Sequence, residues 1–408
     1  MAETLNLGTN GNWATKKESL LAYNSENNNF KPLPFNFTRN SSATRVNKAG
    51  LIETVGAGEP RIDFKDNTKG ALLLEPTRTN NLLQSNQFDT TWSLSSSISL
   101  TSGQSGVGGS TDAWLLKKTD AASRYINQTI TLSSSTYSYS VFAKKESGNW
   151  LYVRLADSGG SLASTSYFDL ENGVVGSTSA DSLSIHSYNN GWYRCEVKFT
   201  HSIGNVRMYP AVGDGSPSGG SGGEGIYIQH AQLESGSYAT SYIPTNGSTV
   251  TRVAETCNNA GNEQVFNSSE GVLYAEISAL ANDGTERRLS LQDNGTYDAV
   301  RITFTPTANS LTAVVYNNSV NQFIAVHILN DATTFNKIAL KYKQNDFALW
   351  VNGIEVATDT NGSVFSEGSL DKLSYELNGI AKVYAKTKDL RVYNTALTDQ
   401  QLQQLTTI

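Results

Sequence analysis

One segment of the sequence combines aromatic and arginine side chains at strand spacing: Trp150-Leu151-Tyr152-Val153-Arg154. Successive side chains of a strand point to opposite faces, so Trp150, Tyr152 and Arg154 share one face and the aliphatic residues share the other. Aromatic rings beside planar polar groups can pack on the apolar face of a sugar and hydrogen-bond its hydroxyls. The alternative is that these aromatics cover the second face of a sandwich, pack on the segment 37–85, or pack on a neighbouring subunit.

The same arrangement recurs twice further along the chain. Trp192 and Arg194 alternate with residues suited to a core, and Arg207 and Tyr209 form a third pair. We therefore select as candidate ligand-binding residues Trp150, Tyr152, Arg154, Trp192, Arg194 and Tyr209.

Groups suited to catalysis are sparse in the sequence. The four histidines do not pair at metal-ligand spacing and no Cys-x-x-Cys occurs, so a zinc site is not expected. The run 219–223, Gly-Gly-Ser-Gly-Gly, matches a nucleophile elbow formally but lies in a Gly/Ser tract without the strand and helix that an elbow needs. A pair of carboxylates across a cleft would suit a glycosidase, and the sequence leaves that alternative open. We expect no catalytic residues and no enzyme activity.

Composition favours strands over helices. The 408 residues include 19 Tyr and only 17% charged residues, a balance typical of all-β proteins. The net charge of −6, with no run of Lys or Arg, argues against nucleic-acid binding. No apolar run is long enough to insert into a membrane. The two cysteines, Cys195 and Cys257, are predicted to be free thiols.

Strand and turn signals divide the chain into five parts. The fold class is all-β, with two antiparallel β-sandwich (jelly-roll) domains in series after an irregular N-terminal docking segment. The N-terminal arm is interpreted either as flexible or as ordering on a partner, with a short helix possible around residues 12–23. The predicted parts are an N-terminal arm (1–36), a leader or docking segment (37–85), a carbohydrate-binding-like jelly roll (86–245), a linker (246–262) and a second sandwich (263–408).

Particular short signals support single elements. Asn352-Gly353 and Asn172-Gly173 favour type I′ hairpin turns. Thr398 and Gln401 form a capping box for a terminal helix, and Leu397 can pack on Leu402 as a hydrophobic staple.

The leader resembles a segment found in virion structural and fibre-like proteins of tailed bacteriophages. The resemblance rests on residues 37–44 (FTRNSSAT), 50–52 (GLI), 60–64 (PRIDF) and 74–83 (LEPTRTNNLL). It continues through the jelly roll of those proteins in 138–144, 150–154, 168–175, 190–194, 226–234 and 239–245.

The last part of the chain is similar to laminin-G and concanavalin A-like lectin sandwiches. The similarity rests on Trp350-x-Asn352-Gly353, on 379–384 (GIAKVY) and on 389–398 (DLRVYNTALT) before the terminal helix. Such domains often hold calcium in rim loops, which makes Asp283, Asp293 and Asp298 candidate metal ligands. Ordinary turn residues are the simpler interpretation, and no other cofactor is expected.

Together these resemblances imply a non-enzymatic virion protein, either a tail fibre or a head fibre or capsid decoration. It would attach to other virion proteins through its N-terminal part, present β-sandwiches to a host cell-surface glycan, and form a homotrimer. It would be made in the host cytoplasm and located in the virion. The alternatives are a polysaccharide-degrading tailspike-type enzyme and the fibre of a contractile injection system.

Overall fold

The computed structural model describes residues 3–30, 33–293, 295, 298–318 and 320–408. The chain forms two compact units. The terminal unit comprises Met1–Lys48, Val55–Pro76 and Val253–Ile408, and the central unit comprises Ala49–Thr54 and Thr77–Arg252. The central unit is thus inserted, in chain order, within the terminal one.

Nearly all regular structure is β-strand, as the composition predicts. The strands before residue 77 are β1 (Leu5–Leu7), β2 (Ala14–Lys16), β3 (Ser19–Leu21), β4 (Phe35–Thr38), β5 (Ala43–Val46), β6 (Ile52–Val55), β7 (Ile62–Asp63) and β8 (Ala71–Leu74). Those from 77 to 252 are β9 (Arg78–Asn80), β10 (Ser93–Leu94), β11 (Ile98–Gln104), β12 (Ala113–Lys118), β13 (Ile126–Lys145), β14 (Trp150–Ala156), β15 (Ala163–Asp169), β16 (Val174–Thr178), β17 (Ser182–Ser187), β18 (Tyr193–Ala211), β19 (Gly225–Ser235) and β20 (Val250–Arg252).

The remaining strands belong to the terminal unit. They are β21 (Thr256–Asn258), β22 (Glu270–Ala279), β23 (Arg287–Gln292), β24 (Ala299–Phe304), β25 (Ser310–Asn317), β26 (Val320–Ile328), β27 (Asn336–Lys343), β28 (Phe347–Val351), β29 (Ile354–Asp359), β30 (Lys372–Ser374) and β31 (Ala385–Tyr393), followed by helix α1 (Asp399–Thr406). Single 3₁₀ turns lie at Thr9–Gly11 and Asn189–Gly191. Among the described residues, no helix has the length and hydrophobicity needed to cross a bilayer.

The central unit is an antiparallel sandwich built on two long strands, β13 and β18. Their ladder is interrupted by register shifts around Leu132, so that the two halves of each strand pair with different neighbours. One layer runs β11-β12-β19-β13-β18-β17 and the other runs β10-β13-β18-β14-β15-β16. Aliphatic and aromatic side chains of both layers form one buried core.

The terminal unit is a second sandwich. Its larger sheet runs β29-β28-β27-β22-β31-β8-β7, and a smaller sheet runs β26-β25-β24-β23-β30. Side chains from both sheets share one buried core. A short third sheet, β2-β3-β4-β21, lies in the same unit.

The N-terminal arm and much of the leader are part of the terminal unit, whereas residues 49–54 and 77–85 of the leader belong to the central unit. Strand β31 pairs along one edge with β22 and along the other with both β1 and β8. The stretch 12–23 contains strands β2 and β3, so the expected short helix is wrong. The flexible-arm interpretation is also wrong for the described residues, because Leu5, Leu7 and Leu20 lie in the core.

Local sequence signals identified several elements. Asn352 and Gly353 both adopt positive φ between Val351 and Ile354, as a type I′ turn requires. Thr398 and Gln401 form the predicted capping box. Leu397 and Leu402, the predicted staple pair, lie in one buried cluster that packs α1 on the larger sheet. Both cysteines are free and buried.

The hairpin at Asn172-Gly173 differs from the prediction. Asp169 pairs with Val174, so the turn has four residues, and Asn172 does not adopt positive φ. The Asp169 carboxylate accepts hydrogen bonds from the backbone N–H groups of Glu171 and Asn172, and these bonds stabilise the longer turn.

A buried cluster of charges joins the leader to the rest of the terminal unit. The Glu255 carboxylate accepts from Arg39 Nη1 at 2.7 Å, from Arg61 Nε at 2.8 Å and from the backbone N–H of Glu75 at 2.9 Å. Arg61 Nη1 also lies 2.8 Å from Glu75 Oε2. Burial alone would lower the pKa of Arg61, but the charges of Glu255 and Glu75 raise it further than burial lowers it.

We predict that Glu255→Ala destabilises the terminal unit by about 3–5 kcal/mol, because it removes a buried carboxylate that two buried guanidinium groups share. Equilibrium urea unfolding measures the effect. The matched control is Glu286→Ala, which removes the partially exposed Arg288–Glu286 pair and should cost no more than about 1 kcal/mol. Equal losses in the two variants would contradict the proposed importance of the cluster.

Candidate functional site

Strand β14 divides its side chains between two faces as the alternation predicts. Leu151, Val153 and Leu155 are fully buried in the core of the central unit. Tyr152 belongs to a separate cluster on the opposite, outer face, against which Trp150 packs. The outer face of β14, β15 and β18 therefore gathers the first candidate residues.

Cross-strand pairing places tyrosines from four segments in one row, here called the tyrosine ladder (Tyr125, Tyr152, Tyr167 and Tyr209). Tyr152 pairs with Tyr167 of β15 on one side and with Tyr209 of β18 on the other. Its ring centroid lies 4.5 Å from each of theirs, and the planes of Tyr152 and Tyr167 differ by only 8°. Tyr125 continues the row, 5.0 Å from Tyr209.

The ladder is not the open aromatic plate that the sequence suggested. The ring spacing is close to the separation of neighbouring strands, so each ring packs its faces on the next ring. Tyr152, Tyr167 and Tyr209 are consequently only 4–7% exposed. Burial raises the pKa of all three phenols, which keeps them protonated at neutral pH. The ladder can offer phenolic edges to a ligand, whereas the ring faces are already occupied.

Trp150 lies to one side of the ladder, two residues from Tyr152 along β14, and is partially exposed. Gly176 of β16 allows this arrangement, because a Cβ there would lie 2.8 Å from Trp150 Cζ3 and 2.7 Å from Asp214 Oδ1. Asp214 Oδ1 accepts hydrogen bonds from the backbone N–H and the hydroxyl of Ser177. These hydrogen bonds lower the pKa of Asp214, so this end of the face carries a negative charge.

Two arginines follow the ladder along the strands. Arg154 on β14 lies directly opposite Arg207 on β18. The Arg207 guanidinium stacks on Tyr125, 4.6 Å from the ring centroid, and its Nε donates to Asn127 Oδ1. Arg154 is partially exposed. The outer face thus combines an indole, a row of phenols and two guanidinium groups.

Trp192 and Arg194 lie on a different face, and both are buried. Trp192 is 1% exposed and packs with Val107, Ala113 and Phe142. Arg194 donates to the Thr240 carbonyl at 2.6 Å. Trp192 and Arg194 do alternate with core residues, as predicted. Segments that are distant in sequence, however, cover the face on which these two side chains lie. The exposure expected for these two side chains is therefore wrong.

The three aspartates do not form one cluster of ligand side chains within the described residues, and their assignment as calcium ligands stays a prediction. Asp283 forms an ion pair with Arg287 at 2.8 Å. Asp298 Oδ1 accepts from the backbone N–H of Asn318, and burial raises its pKa, an effect to which the charge of Asp293 adds. No group of three or more His, Cys, Asp or Glu side chains arranged for a metal ion occurs in the described part of the chain.

Sequence reasoning did not select Tyr125, Tyr167 or Asp214 and paired Arg207 only with Tyr209. Tyr167 lies in a predicted strand with alternating residues, a signal that could have placed it on one face. Its contact with Tyr152 depends on the register of two strands, which the sequence does not state.

Comparisons with known proteins find only solved structures of low similarity to this chain. No protein-family model matches, and no curated protein matches. The CBM40 domain of Ruminococcus gnavus IT-sialidase, bound to α2,3-sialyllactose, has 17% identity and a TM-score of 0.29, covering 35% of this chain and 85% of that one. The receptor-binding domain of botulinum neurotoxin mosaic serotype C/D has 11% identity and a TM-score of 0.30, covering 36% of this chain and 38% of that one.

Mouse laminin α1 domains LG4-5 have 9% identity and a TM-score of 0.26, covering 79% of this chain and 91% of that one. These solved structures include carbohydrate-binding and lectin-like β-sandwich domains. At such identities and TM-scores, the similarity bears on neither the ligand nor the activity of this chain.

We predict that Tyr152→Ala destabilises the central unit by about 2–4 kcal/mol, because it removes the middle ring of the ladder. Tyr152→Phe keeps the stacked ring and should change stability by less than about 1 kcal/mol. Urea unfolding of both variants distinguishes a packed ladder from an exposed plate. A Tyr152→Ala protein as stable as the wild type would contradict the packing described.

Proposed function

We propose that this chain is a non-enzymatic structural protein of a tailed-phage virion whose central unit binds a host cell-surface glycan. It would serve as a tail fibre or as a head fibre or capsid decoration. The observation that carries the binding proposal is the outer face of β14, β15 and β18, where Trp150, the tyrosine ladder and two arginines lie side by side.

The chemistry of this face suits a saccharide. Trp150 supplies apolar aromatic surface, the phenols can donate and accept hydrogen bonds, and the arginines add planar donors. Arg154 lies four residues beyond Trp150 along an extended strand, a distance of about 13 Å. A ligand that contacts both ends therefore spans more than one sugar ring, which favours an oligosaccharide over a single sugar.

The assignment to a virion is supported by the sequence resemblance of the leader and jelly roll to phage structural proteins. We propose attachment to other virion proteins through the N-terminal part, assembly as a homotrimer and location in the virion after synthesis in the host cytoplasm. Because Arg39, Arg61 and Glu75 of the leader are committed to the buried cluster, attachment would use other, exposed residues of the arm and leader. Labelling of the protein in intact particles, followed by cryo-electron microscopy, tests the location.

Carboxylates near the candidate face have structural hydrogen bonds. Asp214 accepts from Ser177, and Asp169, which pairs with Trp150 across the strands, accepts from the following turn. This arrangement favours binding over hydrolysis. The second candidate function, a polysaccharide-degrading enzyme, predicts sustained release of reducing ends from host polysaccharide, and such release would overturn the non-enzymatic proposal.

We predict that Trp150→Ala weakens binding to a bacterial glycan array by at least about 30-fold, the effect of a hot-spot residue, with little change in melting temperature. The loss follows from removal of the partially exposed indole. Trp13→Ala is the control, since Trp13 is also partially exposed but belongs to the terminal unit. Unchanged glycan binding by Trp150→Ala, or a large fall in its melting temperature, would show that the indole serves packing.

A further inference from the structure

Arg154 and Arg207 form an unusual pair on the candidate face. They are direct partners in the antiparallel ladder between β14 and β18, and both point to the outer face with Tyr152 and Tyr209. Residues opposite each other in such a ladder have Cβ atoms about 5 Å apart, and like charges at these positions destabilise a sheet. The pair therefore destabilises the fold unless an opposite charge lies beside it.

The part of the chain that the structure describes does not supply that opposite charge. The Arg154 side chain makes no hydrogen bond and no ion pair with any described residue, and the partners of the Arg207 side chain are neutral. Arg207 donates to the Asn127 amide oxygen and stacks on the Tyr125 ring. Other arginines of this chain do have carboxylate partners. These pairs are Arg124–Asp120, Arg287–Asp283, Arg288–Glu286 and Arg391–Asp389.

The two ends of the face differ in charge. Asp169 and Asp214 lie toward the Trp150 end, whereas the guanidinium groups lie beyond the ladder at the other end. Burial raises the pKa of Tyr209, and this rise is opposed by a hydrogen bond with Arg207 and by the positive charges of Arg207 and Arg154. A ligand that crosses the ladder along the strand direction, from Trp150 to Arg154, would meet uncompensated positive charge at only one end.

We infer that the glycan is acidic and that its anionic group, a carboxylate or a phosphate, binds between Arg154 and Arg207. This inference rests on the proposed glycan binding at the same face. Guanidinium groups bind both anions through paired, charge-assisted hydrogen bonds. Trp150 and the phenols then contact the neighbouring sugar rings, so the arginine pair determines specificity for charge and the ladder supports the saccharide chain.

A bacterial glycan array that includes acidic and neutral oligosaccharides tests the inference with full-length protein. Binding should concentrate on acidic glycans, and Arg154→Gln should weaken it by about tenfold or more, since hydrogen bonds to charged groups are strong. Arg154→Lys should restore only part of the affinity, because an ammonium group lacks the paired donors. Arg288→Gln, in the terminal unit, is the matched control and should bind like the wild type.

A chemical treatment of the bound glycans identifies the anion. Carbodiimide activation and borohydride reduction convert carboxylates to alcohols and leave phosphates intact. Loss of binding after reduction identifies a carboxylate, and retained binding that remains sensitive to Arg154→Gln identifies a phosphate. Both results support the inference.

Other results distinguish failure of the acidic-ligand inference from failure of the proposed glycan binding. Equal binding of neutral and acidic glycans, lost in Trp150→Ala but kept in Arg154→Gln, would overturn the acidic-ligand inference and leave glycan binding intact. Absence of binding to every glycan on the array would overturn glycan binding itself, and the acidic-ligand inference with it.

Discussion

Glu255 carries its negative charge in the interior of the terminal unit, where Arg39 and Arg61 meet it. A carboxylate or guanidinium buried alone would cost several kcal/mol, so these side chains must remain together once the fold excludes water. Arg39, Arg61 and Glu75 come from three separate parts of the leader, and Glu255 comes from the stretch that follows the central unit. The cluster thus fixes chain segments that lie far apart in sequence, and the pairing of β8 with β31 accompanies it.

A second buried polar network has the same role within the central unit. Glu234 accepts from the Thr240 N–H and from the Gln232 amide, while Arg252 donates to the Thr240 and Ser241 hydroxyls. Burial raises the pKa of the Glu234 carboxyl, although the positive charge of Arg252 acts to lower it. Most of these residues lie in 226–234 and 239–245. These polar residues therefore have a structural explanation, since each one satisfies a partner that the fold buries.

The tyrosine ladder follows from sheet geometry. Tyr152 alternates with core residues along its own strand, and registers with β15 and β18 place Tyr167 and Tyr209 beside it. Mutual stacking buries the ring faces, so the surface left for a ligand consists of Trp150, phenolic edges and guanidinium groups. The outer face is therefore charged and able to form hydrogen bonds, and it is not the flat aromatic plate that strand β14 alone suggests.

The sequence by itself determined the features that depend on neighbouring residues. These are the all-β class, the two faces of β14, the Asn352-Gly353 turn and the capping box of α1, because alternation, turn conformation and capping act over a few residues. Only the tertiary structure decided that much of the leader is part of the terminal sandwich, that Trp192 and Arg194 are buried, and that Arg154 and Arg207 are cross-strand partners. Each of these depends on strand register or on cover from distant segments, and a one-residue shift in register would reverse the faces.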